Sequence, residues 1–379
     1  MDEASTEREP VQPEGVTDET PLPPHIERIL DAARLAPSRD NLQPWRFLVD
    51  GETISFLVDH ERDRSPANAD GRMARIAVGA AIECALLRAG RMGTVTKVQA
   101  PRDGALATIT FSAPKRIPEP DKALVQRATN RHLYDARALD DATFAWLREA
   151  TPVLESVRTL WFGRERAKTL GPIIEEAETL FFADPRNREV ALQAVRFDVR
   201  DREEVTRGLS LGCLELSASE RATFAALLKT PQERLAAMGV FAKTGARARR
   251  LVESASGVCV FTATGADSAT DVAVGRSMQR AWLALTRRGL VAHPISALAS
   301  LETMQEAATR AGTPNADAER IAAALTAARA AFPNLERESR MPIVLRFGWA
   351  PPPTARVRRL PVVESLATAR ADTPPPPRE

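Results

Sequence analysis

Aromatic residues make up only 5% of this 379-residue chain, with a single tyrosine, Tyr134. So few ring faces argue against a protein that stacks nucleic-acid bases. Cysteine is scarce as well. Cys84, Cys213 and Cys259 are scattered and form no Cys-x-x-Cys, which argues against a disulfide framework or zinc cluster and fits a reducing, cytoplasmic setting. The histidines, His25, His60, His132 and His293, lie far apart, without the spacing of metal ligands, so no metal is expected. No run approaches the ~18–20 apolar residues of a membrane helix. The acidic, polar start lacks the basic-then-apolar order of a secretory signal. Neither Gly-x-Gly-x-x-Gly nor Gly-Lys-Ser/Thr occurs, so a Rossmann dinucleotide fold and a P-loop enzyme are not expected; an α/β hydrolase is not expected either.

What is present fits a large core. Hydrophobic residues reach 44% and charged residues 27%, the balance of a globular protein. The net charge of +2 hides an asymmetry: residues 1–24 carry seven acids against Arg8, and the rest of the chain is basic. That arm, rich in Pro, Glu and Thr, has almost nothing to bury and is expected to be disordered. The same holds for a Pro-rich tail over 367–379.

Between them the periodicity alternates. A helical stripe from His25 ends before Pro37, and strands are expected at 45–49 and 54–58. A mostly apolar helix spans 72–92, with strands at 95–98 and 107–111. The second half starts the same way, with a helix near 140–149 and a strand at 157–162. Next comes a long, almost wholly helical stretch from 164 to about 252, then a strand at 257–262, a helix at 271–288 and strands at 290–294 and 341–348.

Within this order lies a repeat. Ala77-Val-Gly79, Ala85, Leu87, Arg91 and Gly93 recur as Ala273-Val-Gly275, Ala281, Leu283, Arg287 and Gly289, all at one offset of 196 residues. The expected architecture is α+β with two related halves, 25–117 and 118–366, in one chain. The second carries a helical insertion at about 183–250. The halves are unequally equipped. The first holds the polar turn Pro37-Ser-Arg-Asp-Asn-Leu-Gln-Pro-Trp45; the second opens on Arg127-Ala-Thr-Asn-Arg131. One composite site is therefore expected.

Ser38, Asn41 and Gln43 are clamped between two prolines, where their side chains suit either turn chemistry or hydrogen bonds to a flat polar ring. Arg127, Thr129 and Arg131 combine guanidinium forks with a hydroxyl, the donors a phosphate monoester takes. Arg356, Arg358 and Arg359 form a second basic cluster. Cys84 and Cys259 read as core residues.

Ala36-Pro-Ser-x-x-Asn-x-Gln-Pro-Trp45 resembles a motif of the nitroreductase superfamily. Arg127-Ala-Thr-Asn-Arg131 resembles that family's Arg-x-Ser/Thr-x-Arg/Lys, and Gly289-Leu-Val-Ala-His-Pro294 its Gly-Leu-x-x-x-Pro segment. Arg358-Arg-Leu-Pro361 resembles its C-terminal basic element. The order of the motifs is similar to the Acg type, a single-chain pseudo-dimer with a three-layer fold and a helical lid. The resemblance implies one FMN between the halves and hydride transfer through flavin N5 from NAD(P)H to a nitroaromatic, quinone or similar small molecule. Cofactor contacts are then expected from Ser38, Arg39, Asn41, Gln43, Arg127, Thr129, Arg131, Pro294, Ser296, Ala297, Arg358 and Arg359. The backbone at Ser296 would face N5 and Arg131 would give electrostatic support, with no further catalytic residue. Arg39-Asp40 and Ala128 depart from the family pattern. A monomer is expected, with further oligomerisation open. The alternatives are a flavin-sequestering protein with little NAD(P)H turnover, and a flavin dehydrogenase acting on a peptide or secondary metabolite.

Overall fold

A computed structural model describes residues 21–94, 96–99, 104–200, 204–312, 317–332, 335 and 339–367. The expected disordered segments fall almost wholly outside these residues; of the first, 21–24 are described, and of the second, 367.

The first half runs α1 (Pro24–Ala33), β1 (Trp45–Asp50), β2 (Thr53–Val58), α2 (Arg72–Met92), β3 (Thr96–Gln99) and β4 (Ala107–Phe111). Its strands form an antiparallel sheet in the order β1-β2-β4-β3. Alternation sets the faces: Phe47, Ile54, Phe56, Ile109 and Phe111 pack on α1 and α2. Thr53, Ser55, Thr108 and Thr110 pair across the other face.

After α3 (Lys122–Gln126) the second half repeats this order as α4 (Asp141–Ala150), β5 (Arg158–Gly163), β8 (Gly257–Thr262), α10 (Ser268–Arg287), β9 (Val291–Ile295) and β10 (Val344–Gly348). Its sheet, β5-β8-β10-β9, is also antiparallel and matches the first strand for strand. Two excursions separate the halves in detail. Where β1 and β2 are joined by a tight turn at Gly51, β5 and β8 are joined by α5 (Arg164–Ala183), α6 (Pro185–Gln193), the two-residue strands β6 (Val195–Arg196) and β7 (Leu209–Ser210), α7 (Ala218–Lys229), α8 (Gln232–Ala237) and α9 (Val240–Glu253). Between β9 and β10 lie α11 (Ala297–Arg310) and α12 (Ala318–Ala331), a helical pair to which the periodicity assigns nothing. Helices α5, α11 and α12 cover the second face of this sheet, so β8 is buried at every residue. The second half thus has three layers: α4 and α10, the sheet, and the added helices.

The halves meet where α2 crosses α10. A Cβ built on Gly79 would lie 2.2 Å from the carbonyl oxygen of Val272, and one on Gly275 would lie 2.0 Å from that of Ile76. The 196-residue offset that relates the two glycines also relates Val272 to Ile76, so the contact is reciprocal. Only glycine lets the backbones approach this closely. Arg75 and Asp271, again one offset apart, face each other with Nε 2.9 Å from Oδ2. The fully buried Glu83 is held by Arg276, at 3.1 Å, and by Arg280.

Gly79→Ala and Gly275→Ala should each destabilise the chain. Overlap with a carbonyl costs about 2–3 kcal/mol, more than the roughly 1 kcal/mol that alanine gains in a helix. Urea melts of each variant check this, with the exposed Gly90→Ala, which meets nothing within 4 Å, as the control that should be neutral or stabilising.

Candidate active site

The turn after α1, the segment 124–131, the junction of β9 with α11 and the segment 355–359 converge on one cavity of about 850 Å³, within the range of ligand pockets. Ser38, Arg39, Asn41, Arg127, Thr129, Arg131, Pro294, Ser296, Ala297 and Arg359 line it; Gln43 and Arg358 do not.

The turn is built by its own side chains. Asp40, Asn41 and Gln43 all have positive φ, a conformation costing non-glycine residues about 1–2 kcal/mol each. Hydrogen bonds offset that cost. The Gln43 backbone N–H donates to Ser38 Oγ at 2.9 Å, and Gln43 Nε2 donates to the carbonyls of Thr206 and Asn41 at 2.8 and 3.1 Å. Gln43 Oε1 accepts from the backbone of Leu360 at 2.8 Å. Asn41 donates to the carbonyls of Thr206 and Arg358, and its Oδ1 accepts from Arg359 Nη1 at 2.8 Å. These amides therefore tie three remote segments together. Arg358 turns outward to Glu204.

Thr129 bridges to Ala292 of β9, so 127–131 runs extended, and alternation puts Arg127, Thr129 and Arg131 on one face. Asn130 faces the other way and donates to the Pro351 carbonyl at 2.7 Å. Arg127 stacks over Trp282 with its carbon 4.6 Å from the ring centre and donates Nη2 to the Leu35 carbonyl at 2.7 Å; its buried Nε has no partner. Arg359 spends Nε and Nη2 on the Ala36 carbonyl. Burial pushes the Arg359 guanidinium down to about 9, with Arg127 adding repulsion, and Arg127 to about 10. Both stay charged at neutral pH, and Arg356 stands beside them at the cavity.

The inserted helices supply the opposite wall, mostly apolar through Phe181, Phe182, Phe224 and Leu251. Arg39 stacks against Phe181 at 5.5 Å. Charged side chains interrupt this wall, among them Arg247 and Arg250 of α9, Glu220 of α7 and Glu178 of α5. Glu178 is half-buried, lines the cavity and makes no hydrogen bond among the described residues. Burial raises its carboxyl to about 7, against the pull of Arg247 and Arg39. Nothing in the sequence marks Glu178, because one glutamate on an amphipathic helix carries no motif. Sequence reading also passes over Gly208-Leu-Ser-Leu-Gly212, which has the spacing of a nucleophile turn. There Ser210 is fully buried in β7, with Oγ 3.4 Å from Cys213 Sγ, so it cannot meet a substrate.

No group of histidine, cysteine and carboxylate residues fit to hold a metal occurs among the described residues, and none of their helices is long and apolar enough to cross a membrane.

No family model matches the chain. It is similar to an uncharacterized protein of Mycobacterium tuberculosis, MT1398, at 25% identity over 284 residues, 72% of this chain and 39% of that protein. It is also similar to the putative NAD(P)H nitroreductase acg of the same organism, at 30% identity over 114 residues, 28% of this chain and 34% of that protein. The matched region thus spans well under half the length of these relatives. Among solved structures, the FMN-dependent nitroreductase NfnB of Mycobacterium smegmatis, in complex with NADPH, aligns over 66% of this chain and 97% of its own at 16% identity and a TM-score of 0.34. A nitroreductase-like protein from Bacillus cereus aligns over 66% and 95% at 13% identity and a TM-score of 0.31. Structural likeness at this level carries no argument about function.

The Glu178 carboxyl gives a prediction with a sign. The folded chain holds this proton more tightly than the unfolded chain, whose carboxyl has a pKa near 4.5. Stability is therefore lost as pH rises from about 4.5 towards about 7. Glu178→Gln should melt progressively higher than the parent between about pH 5 and pH 8, and an unchanging difference would mean an ordinary carboxyl.

Proposed function

We propose that this chain belongs to the nitroreductase superfamily and is an FMN-dependent oxidoreductase, with NAD(P)H as donor and a nitroaromatic, quinone or similar small molecule as acceptor. The basic end of the cavity carries the reading. Arg127 has a buried, unpartnered Nε, and Arg127 and Arg359 are both depressed by burial and crowding. Clustered guanidiniums with spare donors suit an anion that offsets their repulsion, and a phosphate monoester fits the fork geometry.

Arg127, Thr129, Arg356 and Arg359 would hold the phosphate. Ser38, Arg39 and Asn41 would flank the ring system from the first half, and Pro294, Ser296 and Ala297 from the second. FMN, when bound, supplies hydride chemistry at N5, so no acid–base residue of the chain is required for the transfer itself. Arg131 places positive charge at the wall where negative charge would develop, and its Nη1 is steadied by the Cys213 carbonyl at 3.1 Å. Phe181, Phe182 and Phe224 keep the acceptor's side of the cavity dry.

The reciprocal contact of α2 with α10 and the matching sheets support a pseudo-dimer, the halves meeting near residue 117. A monomer then needs no second chain to complete its site. The excursion between β5 and β8 supports a lid. Because α5, α7 and α9 line so much of the cavity, a flavin-sequestering role stands as the second reading.

Purified protein should bind FMN more tightly than riboflavin. Charge-assisted contacts are worth about 1.5–3 kcal/mol each, so Arg127→Met should lose roughly tenfold or more of FMN affinity and leave riboflavin binding nearly unchanged. Arg356→Ala, at an exposed site, should do the same in smaller measure without risk to the fold. Failure to take up any flavin would overturn the proposal. Rapid bleaching of bound FMN by anaerobic NADPH would reject sequestration, and a persistent band would favour it.

A further inference from the structure

Opposite His293 on the neighbouring strand stands Arg346, its direct cross-strand partner in the register of β9 with β10. Directly opposed residues share a face of the sheet, and here the two side chains meet. Arg346 is fully buried, and its donors are committed: Nη1 to the Leu251 carbonyl at 2.9 Å, and Nη2 to the carbonyls of Asn130 and His132 at 3.2 and 3.0 Å. Its guanidinium lies on the Tyr134 ring at 3.9 Å. Its Nε donates to His293 Nδ1 at 3.1 Å.

A guanidinium Nε always carries its hydrogen, so Nδ1 must be the acceptor. A neutral imidazole has one proton, and it is then confined to Nε2. His293 lines the cavity, and its Nε2 has no partner among the described residues, nor is it one of the sealed, unsatisfied atoms. We propose that His293 is a specificity-determining residue: a neutral imidazole locked by Arg346 into presenting a permanent Nε2–H donor to the cavity, where it selects a ligand bearing an unprotonated acceptor, a carbonyl or nitro oxygen or a ring nitrogen.

The surroundings keep it neutral. Burial holds the imidazole well below its ordinary range, and Arg346, Arg131 and Arg247 press the same way. Those cations come from β10, from the 127–131 segment and from α9. Of the carboxyls that line the cavity, Asp40, Glu178 and Glu220, that of Glu178 is itself raised to about 7. His293 therefore does not act as an acid or base near neutral pH. A ligand that brings its own cationic ammonium to this wall meets a donor and three positive charges and is rejected.

This identification of the ligand atom rests on the flavin reading; the locked tautomer does not. The acceptor atom belongs either to the flavin's carbonyl edge or to the oxidised substrate seated beside it, and two arms of one experiment separate them. Nitrogen NMR of protein labelled at histidine reads the tautomer in the full chain without turnover. The expected result is an unprotonated Nδ1 and a protonated Nε2 from about pH 5.5 to about pH 9, with no titration. Addition of FMN alone should shift the Nε2–H signal if the flavin is the acceptor. If it moves only when menadione or nitrobenzene is added to the oxidised FMN form, without any reductant, the substrate is.

His293→Leu should weaken binding of the responding ligand about three- to tenfold, the worth of one neutral hydrogen bond. His293→Gln, whose amide can place an N–H near the same point, should recover most of it. Protonation at Nδ1, a titration near the ordinary histidine range, or a signal that neither ligand moves in protein that binds flavin would overturn the proposal. Protein with the expected tautomer that takes up no flavin would instead overturn the function proposed above and leave the lock standing.

Discussion

The crossing of α2 on α10 is the contact on which the rest of the molecule depends. Each helix offers a glycine to a backbone carbonyl of the other, at Gly79 against Val272 and Gly275 against Ile76. Close approach of two backbones leaves no room for adjustment, so the angle and register of the halves are set here. Around the crossing, the charged residues would be costly alone in a buried site. Glu83 is compensated by Arg276 and Arg280, and Asp271 by Arg75 and Arg72.

The same crossing shows what one continuous chain permits. Arg75 and Asp271 are related by the offset that relates the two glycines, and they face each other. In two identical chains, a position that meets its own equivalent would present the same charge twice. Here the two offset-related positions carry opposite charges and form an ion pair. The surrounding residues differ between the halves as well, with the strained polar turn in the first and the arginine-rich segment in the second.

With the halves held in place, the cavity depends on which side chains have no better partner. Asn41 and Gln43 satisfy their polar atoms within the protein and act as rivets between the turn, Thr206 and the segment 358–360. The arginines behave otherwise. Arg127 and Arg359 sit close together in a buried place, and among the described residues no carboxylate receives them. Such a cluster persists in a folded protein when an anion completes it, which is why the basic end of the cavity says more about function than the turn does.

Local pattern was enough for much of this. Alternation marked the strands of the first half, the 3.6-residue stripe marked α1, an apolar run marked α2, and a single offset of 196 residues related α2 to α10, because these signals are carried by neighbours in the chain. The spacing of Arg127, Thr129 and Arg131 announced a shared face for the same reason. The helices α11 and α12 escaped notice. The alanine-rich α12 has little contrast between faces, and both helices stay in place by covering the far side of a sheet that local sequence does not show. Gln43 and Arg358 stand at the right motif positions, yet tertiary contacts turned both away from the cavity. Glu178 occupies no motif position, and His293 falls on a variable position of Gly289-Leu-Val-Ala-His-Pro294. What singles them out is long-range: a carboxyl buried beside Arg39 and Arg247, and an imidazole whose proton is assigned by an arginine 53 residues away. The first-half elements and the matching residues of α2 and α10 were legible in the amino-acid order, since each pattern is carried by residues a few positions apart. Which polar atoms are spent on the fold and which are left for a ligand was settled in three dimensions, because that depends on what packs against them from elsewhere in the chain.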